Sequence, residues 1–158
     1  MDQYIFITGA SSGFGEATAQ LFASKGYSLI LMARREERLL ELKKTLSKQV
    51  EVITLACDVR DELKVNQMIS TLDSSILEKI EVLINNAGLA VGKGPIDEGL
   101  SDDWERMIDT NVKGLLYVTK AIIPFFKAKK KGQIINIASI AGKEVYPGGN
   151  VYCATKHA

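Results

Sequence analysis

The sequence predicts an α/β fold in which helices cover both faces of a parallel β-sheet. Five short apolar runs, each about as long as one strand, are spread along the 158 residues. Stretches with helical periodicity separate these runs, and there is no internal repeat or low-complexity segment. Regular alternation of strands and helices is typical of a doubly wound parallel sheet. We therefore expect a single α/β domain over residues 1–158.

Composition and charge argue against several classes of partner. The chain is 46% hydrophobic and 25% charged, which is typical of a globular domain with a buried core. A net charge of +1 gives no long-range attraction to nucleic acid or to an anionic membrane surface. No stretch approaches the ~18 consecutive apolar residues of a membrane span. The lysines within 127–131 are interpreted as the solvated C-terminal end of a helix, where the dipole favours cations.

Three features of the sequence bear on the cellular compartment and on metal binding. They are the start of the chain, the two cysteines and the single histidine. The sequence passes from Asp2 directly into a strand, without a secretory leader. Cys57 and Cys153 lie in unlike contexts, so a reduced, cytoplasmic setting is expected. His157 is the only histidine, and no metal site is expected.

The first strand and helix enclose a glycine-rich turn. A strand is expected at 4–7 and a helix at 16–23. The turn between them contains Gly9, Ser11, Ser12, Gly13, Phe14 and Gly15. Its glycines permit a tight turn, close approach of a pyrophosphate and close packing of the helix, whose N-terminus attracts phosphate. The spacing differs from the general G-x-G-x-x-G fingerprint, and an ordinary strand-to-helix turn is the alternative interpretation. We favour a Rossmann-type dinucleotide site.

The second strand, at 28–33, is followed directly by Arg34 and Arg35. A carboxylate at this strand end binds the ribose of NAD, whereas an arginine nearby favours the 2′-phosphate of NADP. Ala33 occupies the expected carboxylate position. The alternative is that both arginines only begin the next helix, but cations are unfavourable at a helix N-terminus. Arg34 is therefore the preferred phosphate ligand, with Arg35 second.

The third and fourth strands, at 50–56 and 80–84, each end in polar or small residues. After the third strand, Asp58 is expected either to bind an adenine or to cap the helix that starts near Asp61. That helix is expected to carry apolar residues as far as Ile76. The fourth strand leads into Asn85, Asn86, Ala87 and Gly88, where amides tie strand ends together and glycine permits close approach of a cofactor. A surface loop is expected up to Gly99.

A long helix is expected from the cap at Ser101 to the vicinity of Pro124. Asn111 falls on or beside its apolar face, and a buried asparagine without partners costs about 1–3 kcal/mol. Spacing alone leaves a structural and a catalytic role open for it. The fifth strand, at 133–138, ends at Ser139, and a turn-rich linker leads to Tyr152 and Lys156. Their i,i+4 spacing places them on one helix face.

The ordered set of these motifs resembles the short-chain dehydrogenase/reductase family. The set comprises the turn at 8–15, the segment 85–88, Asn111, Ser139 and the Tyr152-x-x-x-Lys156 pair. Four segments, 13–16, 34–39, 102–111 and 147–152, are most similar to the NADP-dependent 3-hydroxy acid dehydrogenases, which oxidise serine and allo-threonine. The resemblance implies a five-stranded sheet of order 3-2-1-4-5.

The resemblance also implies roles for individual residues. Tyr152 is the acid/base, Lys156 assists it and binds the nicotinamide ribose, Ser139 orients the substrate oxygen, and Asn111 holds a water in a proton relay. A free tyrosine has a pKa near 10, and a nearby cation favours the phenolate that such a base requires. NADP is the implied cofactor, and its implied contacts are Gly9, Ser11, Ser12, Gly13, Phe14, Gly15, Arg34, Arg35, Asp58, Val59, Asn85, Ala87, Gly88, Tyr152 and Lys156.

The resemblance leaves the substrate and the extent of the chain open. A 3-hydroxy acid is preferred, with another carbonyl compound such as a 3-oxoacyl thioester, or a cofactor-binding module without catalysis, as alternatives. Family members continue for roughly another ninety residues, with further strands and helices. We therefore expect a C-terminally truncated domain with little turnover by itself, and a homodimer or homotetramer for the full-length protein.

Overall fold

The computed structural model describes residues 3–158, and its centre is a five-stranded sheet. Asp2, on which the expectation of a missing leader rests, lies outside the described residues. All strand pairs are parallel, and the strand order β3-β2-β1-β4-β5 confirms the predicted fold. The strands are β1 (Tyr4–Thr8), β2 (Ser28–Ala33), β3 (Val52–Ala56), β4 (Ile80–Asn85) and β5 (Gln133–Asn136).

Helices pack on both faces of the sheet. They are α1 (Gly13–Ser24), α2 (Glu36–Leu46), α3 (Glu62–Ser70), α4 (Ser74–Glu78), α5 (Ser101–Ile108), α6 (Leu115–Lys129) and α7 (Asn150–His157). A π-helical segment, Asp109–Gly114, joins α5 to α6, and short 3₁₀ turns occupy Ile96–Glu98 and Ile140–Gly142.

Two apolar cores explain why the central strands are continuous hydrophobic runs. Every residue of β1 and β2 is buried, as expected for parallel strands covered on both faces. Successive side chains of a strand point to opposite faces. Phe6 and Met32 accordingly pack on the side of α3 and α6, whereas Ile7 and Leu31 pack on the side of α1 and α2.

The helix predicted from Asp61 to Ile76 is broken into α3 and α4. Asp61 caps α3 by accepting a hydrogen bond from the Lys64 amide at 3.0 Å. At the other end of α3, the hydroxyls of Ser70 and Thr71 each donate to a carbonyl three residues earlier, at 2.7 Å. Such local hydrogen bonds compete with helix continuation, which explains the break.

The long helix also differs from its prediction at two places. Ser101 is the first helical residue rather than the cap, which is Leu100. The π-helical segment interrupts the middle. The helix ends at Lys129, within the run 127–131 that is expected to form a helix end, and Pro124 lies inside its last turns. A proline inside a helix costs roughly 3 kcal/mol, but Ile122 and Phe126 on either side of it are buried in the core, and that burial offsets the cost.

Residues 3–158 contain neither a candidate membrane-spanning helix nor a candidate metal-binding group of side chains. No helix there combines the length and the hydrophobicity needed to cross a bilayer. No group of three or more His, Cys, Asp or Glu side chains in that range is arranged to hold a metal ion.

Candidate functional site

A cavity of about 670 Å³ lies at the carboxyl ends of the strands. Ligands of open parallel sheets bind at this edge, where the strand order reverses between β1 and β4. The cavity brings together most of the predicted site residues: Gly9, Ser11, Ser12, Phe14, Arg34, Arg35, Asp58, Val59, Ala87, Gly88, Ser139, Tyr152 and Lys156. Four predicted residues do not line it, namely Gly13, Gly15, Asn85 and Asn111.

The glycine turn is shaped by backbone conformation and by lack of space. Gly9 and Gly13 have φ values of +65° and +57°, which favour glycine. A methyl group on Gly15 would overlap the carbonyl oxygen of Gly9 and lie 2.5 Å from the Asn86 amide nitrogen. No side chain caps the first turn of α1. The turn thus presents backbone and the positive end of a helix dipole to the cavity.

Asn86 is a structural member of the site that the sequence reasoning left out of its residue set. Its side-chain amide donates to the carbonyls of Thr8 and Gly9, at 3.0 and 3.2 Å. The Thr8 hydroxyl in turn accepts from the backbone amides of Asn86 and Ala87, both at 3.0 Å. These bonds fix the glycine turn to the end of β4.

Asn85 does not take the predicted cofactor-facing position. Its side-chain amide donates to the Thr119 hydroxyl at 2.9 Å and to the Asn136 side chain at 3.0 Å. The reason is strand alternation, because Asn85 follows Leu83 by two residues and Leu83 faces α6. The neighbouring Asn86 therefore points to the glycine turn. Alternation could have predicted that the two amides diverge.

Arg35 rather than Arg34 contacts the glycine turn. Its Nε and Nη2 atoms donate to the Ser11 hydroxyl at 3.2 and 3.1 Å, and Nη2 also donates to the Ser12 hydroxyl at 2.6 Å. Arg34 is more open, with its side chain 57% exposed and Nη1 3.9 Å from Asp58. Ala33 supplies no carboxylate at this end of β2. The predicted ranking of the two arginines is therefore reversed in their contacts with the turn.

Asp58 lines the cavity next to a second arginine that the sequence reasoning missed. Arg60 binds it through Nε and Nη2, at 2.7 to 3.1 Å, and donates its backbone amide to Oδ1 at 3.1 Å. Burial alone would raise the Asp58 pKa, but the hydrogen bonds from Arg60 and the charges of Arg60 and Arg34 outweigh it. The pKa is lowered, so Asp58 stays a carboxylate. Helix capping is performed by Asp61.

Cys57 lies beside Asp58 in the cavity wall as a neutral thiol. Burial raises its pKa to about 11, with smaller opposing and reinforcing contributions from Lys64, Asp61 and Asp58. At neutral pH it therefore acts as a small apolar wall residue.

Asn111 is buried in the π-helical segment and joins three parts of the site. Its Oδ1 accepts from the Leu89 amide at 2.8 Å, and its Nδ2 donates to the Leu89 carbonyl and the Thr155 hydroxyl, both at 2.9 Å. Thr155 in turn donates to the Tyr152 carbonyl at 2.8 Å. The side-chain amide of Asn111 thus clamps the loop after β4 to α7, and π-helical turns recur at functional sites.

Ser139, Tyr152 and Lys156 line the same cavity as Arg35. Ser139 caps a 3₁₀ turn, and its Oγ accepts from the Ala141 amide at 3.2 Å. Lys156 donates from Nζ to the Ile137 carbonyl at 3.1 Å. Because Gly88 has no side chain, this ammonium approaches it closely. A hydroxyl, a phenol and an ammonium so arranged are suited to proton transfer at a substrate oxygen.

The hydrogen bond between Asn111 and Thr155 can be tested by substitution of Thr155. Replacing it with valine keeps its shape but removes one of the two acceptors of the buried Asn111 amide group, the other being the Leu89 carbonyl. We expect a loss of about 1–3 kcal/mol in the free energy of unfolding, measured in urea. Thr155→Ser should restore stability. Thr45→Val, at an exposed helix position, should stay within about 0.5 kcal/mol of the wild type. Equal stability of the Thr155→Val and wild-type proteins would contradict the clamp.

Comparison with known proteins identifies the family of this chain. A family model described as short chain dehydrogenase matches residues 3–158. Sulfoacetaldehyde reductase 2 of Chromohalobacter salexigens is 47% identical over 157 residues, which cover 99% of this chain and 62% of that protein. The NADP-dependent 3-hydroxy acid dehydrogenase YdfG of Escherichia coli K12 is 44% identical over 152 residues, covering 96% of this chain and 60% of that protein.

Solved structures give the same result. The crystal structure of serine dehydrogenase from Escherichia coli superimposes with a TM-score of 0.91 at 42% identity, covering 98% of this chain and 70% of that one. A closed form of serine dehydrogenase complexed with NADP+ has a TM-score of 0.91 at 43% identity, covering 98% and 61%. The chain spans about three fifths of the length of the curated relatives described above. With a family model matched over residues 3–158, the chain belongs to the short chain dehydrogenase family.

Proposed function

We propose that the protein is an NADP(H)-dependent oxidoreductase that interconverts a hydroxy acid and the corresponding carbonyl compound. The observation that carries the proposal is the shared cavity, whose lining includes a phosphate-compatible turn with Arg35 bound to it and also Ser139, Tyr152 and Lys156. The relatives named for 3-hydroxy acids and the serine dehydrogenase structures support serine or allo-threonine as substrates.

The residues of the cavity fit NADP. Protein atoms of Asn86, Ala87 and the Gly9 carbonyl occupy the places that side chains at Gly9 and Gly15 would need, so the two glycines permit the tight turn that offers its backbone to a pyrophosphate. Arg35 provides a guanidinium for the 2′-phosphate, and Asp58 a carboxylate for an adenine amine. Thr110 lines the cavity, and its buried hydroxyl has no hydrogen-bond partner among residues 3–158.

The residues near Tyr152 account for the proton chemistry. Oxidation of an alcohol breaks one O–H and one C–H bond. Tyr152 receives the hydroxyl proton as a phenolate, the form that the Lys156 ammonium favours. Ser139 donates a hydrogen bond to the substrate oxygen and orients it. Bound NADP+ supplies the acceptor for the hydride and its electron pair.

The proposal is tested by mixing the protein with NADP+ and L-serine, L-allo-threonine or other 3-hydroxy acids and following NADPH absorbance. Turnover with at least one of these acids is expected of the full-length protein. NADP+ binding without turnover of any acid would instead favour a cofactor-binding module. Failure to bind NADP+ would overturn the proposal.

Arg35→Ala tests the cofactor preference separately. Loss of a charge-assisted hydrogen bond of about 1.5–3 kcal/mol should weaken NADP+ binding by roughly tenfold or more. NAD+ lacks the 2′-phosphate, so its affinity should change little. Both affinities can be measured by calorimetry. Arg38→Ala, an exposed arginine of α2 outside the cavity, is the matched control. Equal weakening of NADP+ and NAD+ would contradict the assignment.

A further inference from the structure

A second cavity adjoins the first one at Ala90 and Tyr152. Its volume is about 310 Å³, at the small end of the range for small-molecule sites. It lies between the loop after β4 and the linker before α7, with buried Met107 in its wall. A small molecule in this space can therefore present a hydroxyl group to Tyr152.

Among residues 3–158, Lys93 is the only charged side chain that lines this second cavity. The other lining residues are Ala90, Val91, Gly92, Met107, Tyr146, Gly148, Gly149, Asn150 and Tyr152. Lys93 has no hydrogen bond or ion pair within residues 3–158. Asp103 approaches the loop at Gly92, but it is paired with Arg106 at 3.0 Å. The exposed Lys93 residue thus contributes a positive charge without a partner among residues 3–158 to the lining of a largely apolar space.

The loop that carries Lys93 is fixed to the opposite wall. The Gly94 amide donates to the Gly148 carbonyl at 3.3 Å, and the Asn150 side chain donates to the Gly94 carbonyl at 3.1 Å. The Lys93 stem packs beside Gly148, where a Cβ atom would lie 3.2 Å from Lys93 Cγ. Gly148 has a φ of +76°, which favours glycine. The position of the Lys93 backbone relative to Tyr152 is therefore defined by the fold.

We propose that Lys93 forms the binding site for the acid group of the substrate. This inference rests on the proposed oxidoreductase function and specifies its substrate as a small anion. With the hydroxyl group at Tyr152, a carboxylate or sulfonate two carbons away extends into the second cavity toward Lys93. Two relatives are named for such molecules. One is named as a 3-hydroxy acid dehydrogenase and the other as a sulfoacetaldehyde reductase.

The test compares an acid with its uncharged amide. KM and kcat are measured with NADP+ and either 3-hydroxypropanoate, 2-hydroxyethanesulfonate or 3-hydroxypropanamide. Lys93→Met keeps the length of the side chain and removes its charge. We expect this variant to raise KM about fivefold or more for whichever of the two acids the wild type uses better. Its KM for the amide should change less than about twofold, as should kcat for both. Lys93→Arg should retain most of the affinity for the acid.

Controls separate this inference from the function on which it rests. Lys44→Met, on the exposed side of α2 and outside both cavities, should leave every constant unchanged. Which acid loses more affinity in Lys93→Met distinguishes a carboxylate from a sulfonate site. Equal changes for acid and amide in Lys93→Met would overturn the anion site while leaving the oxidoreductase in place. No turnover of any hydroxy compound by the wild type would overturn the function itself.

Discussion

Tyr152→Phe is expected to lower kcat by about 10²–10⁴ while leaving NADP+ affinity within a few-fold of the wild type. A positioned acid/base contributes a factor of this size, and phenylalanine cannot exchange a proton. The phenolic oxygen forms no hydrogen bond within residues 3–158, so its removal breaks no internal contact. The free energy of unfolding should therefore stay close to that of the wild type. Stopped assays measure kcat, and calorimetric titration measures the affinity for NADP+.

A matched tyrosine provides the control for this loss of activity. Tyr27 packs its ring edge-on against Phe22, with ring centroids 5.6 Å apart, and does not line either cavity. Tyr27→Phe should retain kcat within about twofold, because it removes a hydroxyl far from the reacting oxygen. If Tyr152→Phe kept more than a tenth of the wild-type kcat, another group would have to accept the proton, and the proposed role of Tyr152 would be wrong.

The sheet could be predicted because its strands carry an unusually strong signal. Central strands of a parallel sheet are apolar on both faces, so β1 and β2 stand out as continuous hydrophobic runs. The site residues that follow such runs, Asp58 and Ser139 among them, were placed by the same logic, because parallel strands end at one edge. The cavity joins these positions as expected.

The direction of individual side chains was harder to predict. Asn85 and Asn86 are adjacent and alike, and only the alternation of β4 decides that Asn86 faces the glycine turn. Arg34 and Arg35 differ because Arg35 precedes α2 and turns toward Ser11. These choices depend on contacts between residues far apart in the chain, which local pattern does not contain.

The hydrophobic periodicity of the sequence also did not predict where helices are interrupted. The π-helical segment keeps the amphipathic pattern of its neighbours, yet it turns Asn111 to the loop after β4. The helix also continues through Pro124, because burial of Ile122 and Phe126 offsets the lost hydrogen bond. In both cases tertiary packing overrides a local rule.

Gly15→Ala is expected to destabilise the protein and to weaken NADP+ binding, although alanine is the better helix former. At an open helical position this exchange would stabilise by about 1 kcal/mol. Here the new methyl group would overlap the Gly9 carbonyl and lie 2.5 Å from the Asn86 amide. Overpacking of this kind costs typically 1–3 kcal/mol, and the contacts are backbone and a hydrogen-bonded amide, which yield little.

The loss of NADP+ affinity in Gly15→Ala follows from the movement that makes room for the new methyl group. Relief of the overlap requires Gly9 to move away from α1, which breaks the Asn86 hydrogen bond to its carbonyl and displaces the turn that receives the pyrophosphate. Urea unfolding and calorimetric titration with NADP+ measure both effects. Gly94→Ala is the matched control, because nothing lies within 4 Å of its new methyl group and its φ is not positive. That variant should unfold within about 0.5 kcal/mol of the wild type. A Gly15→Ala protein as stable as Gly94→Ala would show that the turn tolerates a side chain, and the close-approach explanation of this glycine would then be wrong.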